Sequence, residues 1–131
     1  MSINDIGKEG EALAREILKE QFKVDSIFQA DWLVKKNNEY YVIEVKHKEA
    51  FQPPPFEGHG LDVRQVKARM EFYKRYGIRC LFLVIDMTGT IYWQWLDVLE
   101  ATPNHTTKNN IKIYNIACFY KIENQKTDKA S

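Results

Sequence analysis

Asp31, Glu44 thirteen positions later and Lys46 two residues beyond it offer two carboxylates and an ammonium in a layout suited to metal-assisted cleavage of a phosphodiester. That reaction needs an in-line water, charge neutralisation on the transferring phosphoryl group and stabilisation of the departing oxygen. Carboxylates are hard oxygen donors, the type that takes Mg²⁺, with Mn²⁺ able to substitute. The backbone carbonyl of Val45 adds a further oxygen where its strand ends. In an extended strand, Lys46 shares a face with Glu44 while Val45 points its side chain away, so a spacing of two suits one shared site. Lys46 then counterbalances the two acids and orients or polarises the water. The same spacing also describes an ordinary exposed charge pair. The setting weighs against that reading, because Glu44 and Lys46 terminate the apolar run Tyr40 to Val45 and Asp31 belongs to the facing strand.

Those residues must be brought together by their elements. Ala30 to Val34 and Tyr40 to Lys46 read as a hairpin with Asn37-Asn38 at the turn, so that Asp31 and Glu44 meet across it. Neither face of the second strand is fully polar, which predicts a central strand with a layer on each side. Ahead of the hairpin, apolar residues at helical spacing predict a helix over residues 5–21, with Ser2, Asn4 or Asp5 as its cap, and a strand over Val24 to Phe28. Glu11 lies on the flank of that helix's apolar stripe, from which a carboxylate can reach a cleft.

Downstream, His47 to Gly60 holds Pro53-Pro54-Pro55 and reads as a long functional loop. Asp62 caps a second helix that runs to Tyr76 and stops at Gly77. Arg79 to Asp86 is an apolar strand expected to be covered on both faces, followed by an antiparallel strand over Ile91 to Trp95. A helical turn over Leu96 to Leu99, a polar loop over Ala101 to Asn110 and short strands at Ile111 to Ile116 and Phe119 to Ile122 complete the expected order. Residues 1–123 form one domain on this reading, and 124–131 a flexible C-terminal tail.

The chain resembles the PD-(D/E)XK nuclease superfamily on Gly10-Glu11, Asp31, Glu44-Val45-Lys46 and the helix after Asp62, although Ala30 stands where the name-giving proline would be. The resemblance implies an α/β, restriction-endonuclease-like fold: a mixed central sheet flanked by helices, with core order helix-strand-strand-strand-helix-strand. It implies metal-binding acids at Asp31 and Glu44, a catalytic lysine at Lys46, an additional acid at Glu11 that joins the metal set, and a supporting glutamine at Gln65. Phe51, Pro53, His59 and Gln65 resemble the Holliday-junction resolvase branch. Phage-encoded and restriction-related nucleases stay open beside it.

The implied activity is a Mg²⁺-dependent DNA endonuclease directed at branched or junction DNA. The alternative is a catalytically silent, structure-selective DNA-binding or assembly protein on the same fold. Lys35, Lys36, Lys48, Arg64, Lys67 and Arg69 are the expected phosphate contacts, the last three on a helix that also reads as a solvated charged face. Phe51 or Phe56 can stack on or wedge into a distorted duplex, or else cover the core. His59 and His47 are set down as phosphate contacts or structural residues. Trp93 and Trp95 share a strand face that either fills the core or buries a homodimer interface.

Composition narrows the alternatives. Among 131 residues, 44% are hydrophobic and 28% charged, with a net charge of +1, so the whole chain carries no strong field toward nucleic acid. Cys80 and Cys118 stand apart in apolar surroundings and are expected to be buried free thiols. There is no glycine-rich phosphate loop and no Gly-x-Ser-x-Gly nucleophile motif. No apolar run approaches the ~18 residues of a membrane helix, and the first residues lack the pattern of a signal peptide. A cytoplasmic protein of a bacterium or a phage-infected host is the expectation, with DNA as partner and no membrane.

Overall fold

A computed structural model describes residues 3–25 and 30–123 and, within residues 3–8, the backbone alone. Helix α1 covers Ile3–Glu20, and the hairpin follows as β1 (Trp32–Lys36) and β2 (Glu39–His47). Asn37 and Asn38 take φ of 52° and 67°, the left-handed turn conformation that asparagine tolerates best after glycine. That turn fixes the register at Lys36 opposite Glu39 and Trp32 opposite Ile43, so Asp31 falls just beyond the last pair, beside Glu44.

Strand β4 (Arg79–Ile85) lies parallel to β2, and β5 (Ile91–Trp95) and β8 (Tyr120–Ile122) continue antiparallel, giving a five-stranded sheet in the order β1-β2-β4-β5-β8. The parallel β2–β4 pair requires a crossover, and α2 (Val63–Tyr76) supplies it. The Asp62 carboxylate accepts the Arg64 N–H at 2.8 Å to cap α2, while Gly77, at φ 71°, closes it with its N–H on the Tyr73 carbonyl. After β5 come the short helix α3 (Leu96–Glu100) and a second sheet of β3 (Gly58–Asp62), β7 (Ile111–Asn115) and β6 (Asn104–Thr106), followed by a 3₁₀ turn at Ile116–Cys118.

The core lies between one face of the large sheet and the layer of α2, α3 and the small sheet. Val42, Cys80, Phe82 and Val84 from the large sheet meet Val66, Leu96, Leu99, Leu61 and Tyr114 there. Glu44 projects from the same face as Val42, so the fold carries this carboxylate inward with the core. Cys80 is buried and its thiol is pushed up to about 12 by burial first and by the Glu44 charge second, which leaves it protonated and inert. Cys118 is half-buried and free.

Several boundaries differ from expectation. The segment expected as loop up to Gly60 ends in the first three residues of β3, because Gly58 and Gly60 let that strand approach β7 more closely than any side chain would permit. A Cβ on Gly58 would lie 2.1 Å from the Tyr114 carbonyl oxygen. Likewise β6 forms inside the polar stretch Ala101 to Asn110. Val24 and Asp25 are not in a strand, and the rest of the strand expected there, like Ser2 and the tail 124–131, falls outside the described residues. The expected cover on both faces of β2 and β4 is present on the α2 side, whereas Tyr41, Ile43, Val45, Leu81 and Leu83 on the opposite face stay half-buried. Leu13, Ile17 and Leu18 of α1 are exposed.

Candidate active site

The hairpin places Asp31 and Glu44 side by side at one end of the sheet. Asp31 is exposed, and one of its carboxylate oxygens accepts the backbone N–H of Val45 at 2.9 Å. That bond ties the acid to the strand of its partner and orients it toward Glu44. Glu44, in contrast, is 1% exposed. Its pKa is raised, first by burial; the Arg69 guanidinium opposes the shift, and the neighbouring Asp31 carboxylate adds to it. Ala30, Asp31, Glu44, Gln65 and Arg69 line an open cleft of about 400 Å³.

Arg69 changes the electrostatics that the sequence suggests. Rather than lying on a solvated helix face, it is buried at 7% exposure, and its Nε donates to Glu44 Oε1 at 2.6 Å. Gln65 stands one helical turn before it and lines the same cleft. Two carboxylates thus share the cleft with one buried cation, Arg69. A signal for this was present in the sequence: Arg69 follows Val66 by three residues and precedes Met70, inside the apolar stripe, where an unpaired cation would be costly.

Lys46 shares the strand face of Glu44 and is half-buried, although it does not line the cleft itself. Glu11 is exposed on α1 and is likewise absent from the cleft lining. Among the described residues no set of three or more His, Cys, Asp or Glu side chains converges as a metal cage. Asp31 and Glu44, the donors that do meet, are hard oxygen ligands of the kind that would hold a divalent cation of the Mg²⁺ type. Such a cation would keep most of its shell from backbone oxygen and water.

The remaining sequence candidates divide into surface and core. Lys35 and Lys36 are exposed at the hairpin end, with Lys35 Nζ 5.6 Å from the Tyr40 ring centre. Lys67 and Arg64 are exposed on α2, and Arg64 lies 3.6 Å from Asp62. Phe51 and Gly58 exchange backbone hydrogen bonds of 2.8 and 3.0 Å that close the neck of the proline-rich loop; Lys48 Nζ sits 4.5 Å from the Phe51 ring centre. Phe51 and Phe56 are both half-buried. His59 is a correction: it is not a surface phosphate contact but a core residue at 1% exposure, packed against Tyr92 and Phe119. Neither ring nitrogen has a partner among the described residues, and burial lowers its pKa, favouring the neutral form.

A mixed sheet whose parallel pair is joined through a helix is the restriction-endonuclease-like architecture. Among solved structures, the chain is similar to Hjc of Archaeoglobus fulgidus, a Holliday junction resolvase from an archaeal hyperthermophile. The TM-score is 0.50 at 16% identity, covering 92% of this chain and 96% of that one. No family model and no curated protein matches the sequence. At this identity the likeness establishes the fold.

Proposed function

We propose that the chain is a Mg²⁺-dependent DNA endonuclease acting on branched DNA, with Mn²⁺ able to replace Mg²⁺. The carrying observation is the meeting of Asp31 with the buried Glu44 across the β1–β2 hairpin, inside a polar cleft. Asp31, Glu44 and the Val45 carbonyl would hold the ion, with Glu11 as an additional acid if α1 approaches; the ion supplies charge neutralisation for the transferring phosphoryl group. Lys46, two residues along the Glu44 face, orients the attacking water and holds positive charge near the phosphate. Gln65 supports the cleft from α2 with an amide that can both donate and accept. Lys35, Lys36, Lys48, Arg64 and Lys67 position the DNA backbone without reading bases, and Phe51 and Phe56 at the proline-rich loop meet distorted base steps.

The similarity to a solved Holliday junction resolvase supports a four-way junction as the first substrate to try. The half-buried sheet face that includes Trp93 and Trp95 supports a homodimer, which would set two sites against two strands. A second reading, a catalytically silent DNA-binding protein, is favoured by one observation: Arg69 already neutralises Glu44 through a 2.6 Å ion pair. One experiment separates the two. Purified protein is given linear duplex, single strand, flap and four-way junction DNA, with EDTA, Mg²⁺ or Mn²⁺. The endonuclease reading predicts metal-dependent cleavage strongest on branched substrates, whereas binding without cleavage under every condition supports the silent reading.

A further inference from the structure

We infer that Arg69 is a phosphate-binding residue inside the reaction cleft, dividing its guanidinium between Glu44 and a non-bridging oxygen of the bound phosphodiester. The inference rests on the DNA-directed reading above and assigns a contact within it. Its geometric basis is a contrast between two arginines. Arg79 engages Asp97 through both Nε and Nη2, each at 2.9 Å, and so uses its fork on one carboxylate. Arg69 bonds Glu44 through Nε alone. Among the described residues its two Nη groups have no hydrogen-bond partner. Arg69 lines the cleft together with Asp31, Glu44 and Gln65, the space in which a phosphate would lie.

Chemistry favours an anion beside that guanidinium. A guanidinium offers five N–H donors and no acceptor. With one donor held by Glu44, the rest match the paired oxygens of a phosphodiester. Nearby acids would repel phosphate on their own. Arg69 offsets that repulsion from within, while its Nε bond restrains the Glu44 side chain. Arg64 and Lys67, exposed on the same helix, face solvent and lack this enclosure.

The test compares E44Q with E44Q/R69Q. Removing both charges together leaves neither buried and unpaired, so the double variant is expected to fold. E44Q keeps an amide oxygen as acceptor for the Arg69 Nε, and both variants are shown to be folded by circular dichroism before binding is compared. Binding of a fluorescein-labelled four-way junction and a labelled linear duplex is followed by anisotropy in EDTA over a salt series, alongside the wild type. Loss of a charged hydrogen bond predicts about 10-fold or greater weakening in E44Q/R69Q relative to E44Q. Loss of one phosphate contact also predicts a salt slope shallower by about 0.9, a change that a purely structural role for Arg69 would not produce. If wild type and E44Q bind and the double variant matches E44Q in affinity and slope, the assignment of Arg69 falls while the DNA-directed reading stands. If neither wild type nor E44Q binds either DNA, both fall.

Discussion

Glu44 is the residue on which the site turns, because it is a buried acid whose only ion-pair partner among the described residues is Arg69, 25 positions away. Breaking such a pair on one side leaves a charge without water or partner, at a cost of about 3–5 kcal/mol. R69M is therefore expected to lower unfolding free energy by that order in urea titration, and E44Q/R69Q to recover most of it. Equal losses in the single and double variants would show that the pair is not coupled. The sequence made Asp31, Glu44 and Lys46 legible through residue type and strand alternation. It did not disclose the Arg69 partner, since a helix and a strand distant in sequence must pack before that contact exists.

At the level of elements, the hairpin and α2 carry the site, and both announce themselves locally. Asn37-Asn38 marks the turn, while Asp62 and Gly77 mark the ends of α2. Loss of the cap in D62A is expected to cost about 1 kcal/mol. Strand β3 is different: its glycines were read as loop, and their role emerges only when β7 is set beside them. Gly58→Ala would force a Cβ to within 2.1 Å of the Tyr114 carbonyl oxygen, a clash with backbone that cannot rotate away. The expected loss is about 2 kcal/mol or more, measured by thermal or urea unfolding; a variant as stable as wild type would contradict the close β3–β7 packing. Short strands such as β3 and β6 escape sequence reading because they have too few residues to display alternation, and their pairing is set by tertiary contacts.

Across the whole molecule, the order of the core was legible while the second sheet and the incomplete cover of the large sheet were not. No helix among the described residues is long and apolar enough to cross a membrane. His59 joins both sheets, packed on Tyr92 of one and carried by β3 of the other, and its burial has a pH signature. Its folded pKa lies below the ordinary 6.5, so between those values the unfolded chain binds more protons. Stability from this group is present above about pH 6.5 and lost as the pH falls toward the folded value. The raised pKa of Glu44 acts oppositely, weakening stability as pH rises through the window above 4.5. Comparing wild type with H59L across pH 4 to 8, an experimental range of about four units, cancels the Glu44 contribution. A wild-type deficit that grows on acidification is expected, and parallel curves would contradict it. Turnover is read most directly as cleavage of a four-way junction by wild type and K46A in Mg²⁺, with both proteins shown to be folded. Cleavage by wild type and a loss of about 100-fold or more in K46A are expected; equal metal-dependent rates, or no cleavage by wild type, would contradict the endonuclease assignment.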